Sequence, residues 1–194
     1  MQILKSTSVI DVTGDDAGSF IDSLISNSIN EDEVKFSYLL GPDGKVKFWF
    51  IFEFRNNEIK LFQTEENLVE LKKILEKYKI RINCELIVSK VDKFFEISEN
   101  NELLKIKSSL SSNKFIDWSQ IELFYELPSL KIIEKGLLPN EINWLESFVD
   151  FNKGCFIGQE QASRVNFRGK ARRILKTLPA VSYTHLTLPT IVGV

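Results

Sequence analysis

Asn152–Arg173 reads NKGCFIGQEQASRVNFRGKARR. Two glycines, Gly154 and Gly158, flank Cys155 and Phe156. Glycine adopts backbone angles closed to other residues, so the pair predicts a tight turn whose backbone can approach a partner closely. Gln159 to Val165 contains no breaker and predicts a short helix. Cys155 then falls just ahead of a helix N-terminus, the electropositive setting in which reactive cysteines occur. Arg164, Arg168, Lys170, Arg172 and Arg173 follow, adding positive potential suited to a working thiol or an anionic ligand. A second reading stands beside the first on residue types alone. It is a glycine-rich turn with a buried, inert cysteine, a small hydrophobe in effect, and a solvated basic face.

The chain around this stretch is of ordinary globular composition. It has 194 residues, 43% of them hydrophobic, and a formal net charge of -2. That charge argues against a general affinity for nucleic acid, and the basic cluster near residue 170 is local. Two cysteines, Cys84 and Cys155, make no disulfide scaffold and suit a reducing compartment. Nor do they supply the four ligands of an iron–sulfur cluster from this chain alone. Apolar runs fall short of a membrane span, and MQILKSTSVIDVTG opens on a strand-like pattern rather than a signal peptide. A cytoplasmic protein is expected. His185 is the lone histidine and lies in Ala180–Val194, where charge disappears. This tail resembles translated adaptor read-through at the end of an open reading frame and is expected to be non-native. The other reading is a genuine strand-and-turn extension. Without the tail no histidine base or histidine metal site remains, and no metal is expected.

Upstream, periodicity predicts an α+β layout. Ser8–Val12 reads as a strand, and Thr13 with Asp16 as a capping box. Ala17, Phe20, Ile21, Leu24 and Ile25 form a helical stripe, and Phe36–Leu40 a strand. Gly41-Pro42-Asp43-Gly44 predicts a hairpin turn into a strand over Lys45–Phe54. In that strand Val46, Phe48, Phe50, Phe52 and Phe54 take one face, with Trp49 and Ile51 on the other. Asn56-Asn57 turns into a strand at Glu58–Phe62. Thr64 caps a helix with Glu65 and Glu66 in its first turn. Ile80–Val88, holding a core Cys84, then Phe94–Ile97, Leu103–Lys107 and Phe115–Trp118 read as strands. Gln120–Leu127 reads as a helix stopped by Pro128. The order β-α-β-β-β-α-β suggests split-βαβ, ferredoxin-like units.

Lys153-Gly154-Cys155-Phe156-Ile157-Gly158-Gln159-Glu160 resembles the K-G-C-[FY]-x-G-Q-E signature of the YgfZ family. Arg164 and the Arg168-Gly169 pair match its usual continuation. Members of that family are folate-binding relatives of the glycine-cleavage T-protein, an aminomethyltransferase, and act in iron–sulfur protein maintenance. The resemblance implies the T-protein-like fold over residues 1–179. Residues 1–44 and 110–179 would pack around the signature, 45–109 would form a ferredoxin-like subdomain, and 180–194 would be the non-native tail. The family normally continues into a C-terminal β-barrel domain, which this chain is expected to lack by truncation. It also implies tetrahydrofolate, or a one-carbon derivative, as ligand. Trp118 sits where the family places a tryptophan implicated in folate binding, its alternative being a core residue. Glu141 and Asn143, in a P-x-E-x-N segment, would hydrogen-bond a pterin edge or order the glycine-rich turn. Arg164 and Arg168 would meet the folate carboxylates. Glu126 stands where the family usually has glycine. The T-protein's acidic pair is replaced by Phe48 and Trp49, which removes the carboxylate that would deprotonate a folate amine. The implied role is therefore an accessory folate-binding protein with Cys155 as its functional thiol. Iron–sulfur client or assembly proteins would be its partners, with an effect on tRNA modification. An active aminomethyltransferase using another acid is the alternative, and RNA contact through the basic cluster a lesser one.

Overall fold

The computed structural model describes residues 1–101, 103–169, 171, 173–177 and 190–193. One six-stranded sheet dominates, with β1 (Gln2–Thr13), β2 (Val34–Leu40), β3 (Val46–Arg55), β4 (Glu58–Phe62), β5 (Glu85–Asn100) and β6 (Leu103–Ser109). Their order is β2-β3-β4-β1-β5-β6, and every ladder is antiparallel. The split-βαβ expectation holds for β4 and β5, which both run antiparallel to β1 and so parallel to each other, with β1 between them and a helix at Glu65–Tyr78 making the crossover. The sheet curls until its two edge strands, β2 and β6, approach each other.

Both faces of the sheet are buried, and β3 shows why. Phe48, Phe50 and Phe52 enter one core, and Trp49 and Ile51 the other. Val46 joins Trp49 rather than the phenylalanines. The cause is a bulge, for Leu39 pairs with Phe48 but Leu40 with Val46. An extra residue in one strand flips all that lies beyond it to the opposite face. On the phenylalanine face lie α1 (Ala17–Leu24) and α2 (Glu65–Tyr78), which bury Phe20, Ile21, Leu68, Leu71 and Leu75. On the tryptophan face lie α3 (Trp118–Phe124), α4 (Leu130–Ile133), α5 (Leu145–Phe148) and α6 (Gln159–Arg168), with a 3-10 turn at Pro139–Glu141.

Local signals hold where the chemistry is local. The Thr64 hydroxyl accepts the Asn67 N–H at 3.3 Å, capping α2. Asp117 and Gln120 close a reciprocal capping box on α3. Other expectations are corrected. Thr13 ends β1, and Asp16 caps α1 without a side-chain bond. The strands expected at 80–88 and 94–97 are one strand, β5, with Cys84 buried just before it. Phe115–Trp118 is not a strand. Ile116 makes a single parallel bridge to Leu4, and Trp118 starts α3 because the Asp117 cap intervenes. In the tail, β8 (Thr190–Gly193) pairs with β7 (Arg173–Lys176), and residues 180–189 and 194 lie outside the described residues. Among the described residues no helix is long and apolar enough to cross a membrane.

Candidate functional site around Cys155

The signature loop is fastened at both ends. At its start, Lys153 reaches back to the end of α1. Its ammonium donates to the Asp22 carbonyl at 2.7 Å, Asp22 Oδ1 at 2.9 Å, the Asn27 carbonyl at 3.0 Å and the Ile25 carbonyl at 3.1 Å. Carbonyls at a helix C-terminus lack helical partners and attract a cation. The Lys153 side chain is 4% exposed. Burial pushes its ammonium below the ordinary lysine range, and the Asp22 carboxylate opposes that shift. The segment leading into Lys153 runs along residues 26 and 27. Ser26 Oγ donates to the Phe148 carbonyl at 2.7 Å, Asn27 Nδ2 to the Ser147 carbonyl at 3.1 Å, and the Asp150 N–H to the Ser26 carbonyl at 3.0 Å.

At the far end, Phe156 is buried in the tryptophan-side core. Gly158 caps α6 with φ 77°, a left-handed conformation that favours glycine. It docks on the β2–β3 hairpin. A Cβ there would lie 2.4 Å from the Gly41 carbonyl oxygen and 3.0 Å from Gly44 Cα. Gly44 is close-packed in turn, its absent Cβ facing Gln161 Cβ at 2.5 Å. Gly154 behaves differently. Its backbone is outside the left-handed region and a Cβ would meet nothing within 4 Å, so the expected pair of tight-turn glycines reduces to Gly158. Cys155 is a free, exposed thiol. Gly154 and Cys155 thus form a two-residue outcrop between two fixed points, and the buried-cysteine reading is set aside.

The other predicted site residues are spread around this loop. Trp118 is 6% exposed and packs on Trp49, ring centroids 5.5 Å apart. At that exposure it sits in the core, the second of its two readings. Glu141 is 4% exposed and forms a two-pronged ion pair with Arg173, Nε to Oε1 at 2.9 Å and Nη2 to Oε2 at 2.8 Å. It also accepts the Leu138 N–H at 3.0 Å. The carboxylate raises the Arg173 guanidinium above its ordinary range. Glu141 therefore orders the chain beside the signature, since the 3-10 turn packs on both α6 and β7. Arg164 pairs with Glu160 one helical turn away at 2.8 Å, both well exposed, and the Gln159 N–H bonds the Phe156 carbonyl at 3.3 Å. The side chain of Arg168, and Lys170 and Arg172 entirely, lie outside the described residues.

Asn143 lines a hollow of about 700 Å³ with Phe124, Tyr125, Glu126, Trp144 and Lys176. Two bulky residues here adopt left-handed backbone angles, Glu126 at φ 53° and Trp144 at φ 68°. Each is clasped by the other's neighbour. Asn143 Nδ2 donates to Glu126 Oε2 at 2.6 Å, and Trp144 Nε1 to the Tyr125 carbonyl at 2.7 Å. A second hollow of about 600 Å³, lined by Asn27, Lys35, Ser147, Asp150 and Asn152 among others, opens where the signature begins. Cys155 lines neither. Sequence reasoning missed the Lys153 cradle and the Glu126–Asn143 clasp. A signal for the clasp was present, for the resemblance sets a glycine against Glu126, which holds the backbone conformation that glycine supplies.

No family model matches the chain. It is similar along 92% of its length to the tRNA-modifying protein YgfZ of Aliivibrio fischeri, 26% identical over 227 residues, covering 70% of that protein. It is 38% identical over 60 residues to the mitochondrial iron-sulfur cluster assembly factor IBA57 homolog of Pyricularia oryzae, covering 30% of this chain and 15% of that one. Among solved structures, glycine cleavage system aminomethyltransferase T from Bartonella henselae matches with a TM-score of 0.44 and 15% identity. That match covers 66% of this chain and 32% of the other. The chain is α+β and similar to YgfZ proteins along nearly its whole length.

Proposed function

We propose that this is a tetrahydrofolate-binding accessory protein of the cytoplasm that supports iron–sulfur cluster assembly or repair, with Cys155 as its functional thiol. The observation that carries the reading is the exposed Cys155 held on an outcrop fixed at both ends. Such fastening gives a reactive group a defined position before any partner arrives. The similarity to proteins named for tRNA modification and for iron–sulfur cluster assembly supports the same role. For the folate, the hollow beside Asn143 offers the aromatic walls of Phe124 and Trp144 and the polar groups of Asn143 and Glu126, a mixture suited to a flat, hydrogen-bonding ring. Arg164 is free to exchange Glu160 for a ligand carboxylate, because an exposed pair of this kind is worth only about 0.3–0.5 kcal/mol. Aminomethyl transfer is less well supported, since Phe48 and Trp49 fill the acidic positions and both are core residues.

Two measurements test the reading. Isothermal titration should show tetrahydrofolate binding that Asn143→Ala weakens by at least tenfold, without turnover in a glycine-cleavage assay. Cys155→Ala should fold with stability within about 0.5 kcal/mol of the parent yet fail to restore iron–sulfur enzyme activity in a strain lacking its own YgfZ. Full restoration by Cys155→Ala would remove the thiol from the mechanism, and turnover would move the protein to the transferase class.

A further inference from the structure

We propose that Lys153 is a positioning residue for Cys155, acting through the charge of its ammonium rather than through packing. This rests on the thiol reading above and extends it to a residue that no contact with ligand or partner would have singled out. The four oxygens around Nζ come from a stretch of six residues at the end of α1 and just beyond, belonging to Asp22, Ile25 and Asn27. Three are backbone carbonyls and one is a carboxylate. An ammonium brings three N–H donors and no acceptor, so one proton is shared and every donor is used. The residues are 126 to 131 positions from Lys153 in the chain. They are already tied to α5 and Asp150 by Ser26 and Asn27, so the cradle is part of the rigid body that the loop must join. Beyond Lys153 a Cβ on Gly154 would meet nothing within 4 Å, and Cys155 is exposed. The next anchor is the buried Phe156, whose ring lies 5.8 Å from the Lys153 ammonium.

Removing the ammonium leaves the oxygens facing one another with no donor between them. The repulsion opens the cradle, and the nearest tie left on that side is the Asp150 N–H to the Ser26 carbonyl, three residues before Lys153. A neutral side chain of equal length would fill the space without relieving it. The function of Lys153 is thus to convert a loop that Gly154 would leave loose into one with a single placement of the sulfur.

The test uses the full chain with Cys84→Ala, nitroxides on Cys155 and on Glu66→Cys at the exposed start of α2, and pulsed electron paramagnetic resonance. The parent should give one narrow distance distribution. Lys153→Ala should at least double its width at an unchanged far-ultraviolet circular dichroism spectrum. n-Propylammonium supplies the three carbons and the ammonium that alanine lacks, and should restore the narrow distribution. Tetramethylammonium, a charge without N–H donors, should not. An unchanged width in folded Lys153→Ala, or equal restoration by both cations, overturns the proposal. Should Lys153→Ala fail to fold, Asp22→Asn removes the anionic oxygen alone and should broaden the distribution by an intermediate amount, and no broadening there overturns it equally. In the strain lacking YgfZ, Lys153→Ala should lose most of the activity restored by the parent. Full restoration by a variant whose distribution is broad overturns the positioning role. Full restoration by Cys155→Ala instead defeats the thiol reading and leaves the distance result standing.

Discussion

Gly158→Ala is the substitution for which the structure gives the clearest magnitude. Two penalties combine. The backbone is left-handed at φ 77°, which costs a residue with a Cβ roughly 1–2 kcal/mol. The new methyl would also lie 2.4 Å from the Gly41 carbonyl oxygen, 2.9 Å from Leu40 Cβ and 3.0 Å from Gly44 Cα. None of these is the far end of a flexible side chain. The Gly41 oxygen accepts the Gly44 N–H at 2.8 Å, and the Gly41 N–H is bonded to the Lys45 carbonyl at 2.8 Å, so the hairpin yields only by breaking its own turn. Overpacking of this kind typically costs about 1–3 kcal/mol. The expected loss is therefore about 2–5 kcal/mol, or a fall in melting midpoint of about 4–20 °C for a domain of this size. The control lies four residues away. At Gly154 the methyl meets nothing within 4 Å and the backbone is not left-handed, so Gly154→Ala should stay within about 0.5 kcal/mol of the parent. Differential scanning calorimetry on the two variants decides the matter. A Gly158→Ala midpoint within about 1 °C of the parent, or two equal losses, would refute the docking of α6 on the hairpin.

Two further outcomes are expected. Glu141→Ala strips the Leu138 N–H of its partner, leaves Arg173 with the Gly136 carbonyl, and should cost about 1–3 kcal/mol in urea unfolding, the lower part of the range reflecting the partial exposure of Arg173; a loss under about 0.5 kcal/mol would reduce the pair to a surface contact. Burial, helped by Asp117, pushes the Glu122 carboxyl up to about 8. The folded state then holds a proton that the unfolded state has released, so stability is full below the ordinary carboxylate range and declines as pH rises through about 8. Glu122→Gln should flatten that decline, and an unaltered pH profile of the melting midpoint would contradict it.

The sequence was most legible where a residue's partner lies within a turn or two. Thr64 capping α2, the Gly41–Gly44 hairpin, and the alternation of Phe48, Phe50 and Phe52 all depend on neighbours a few positions away. Even there one inserted residue at the β2–β3 bulge sends Val46 to the face opposite its own pattern, because alternation counts residues and the ladder counts pairs. The site was legible in composition but not in roles. Lys153, Glu141 and Trp118 are each the type that a ligand site uses, and each is turned inward by a partner remote in sequence: Asp22, Arg173 and Trp49.

A motif of charged and aromatic residues therefore mixes two kinds of member that residue type cannot separate. Some, such as Cys155, have no described neighbour to satisfy, and others hold them in place. Burial separates them, and burial is a property of the whole sheet. Lys153 is the clearest instance, a charged motif residue two positions before the cysteine. In the fold its ammonium is spent on four oxygens of α1 and the turn after it. Its influence on Cys155 must then pass through the backbone of Gly154, where a Cβ would meet nothing within 4 Å.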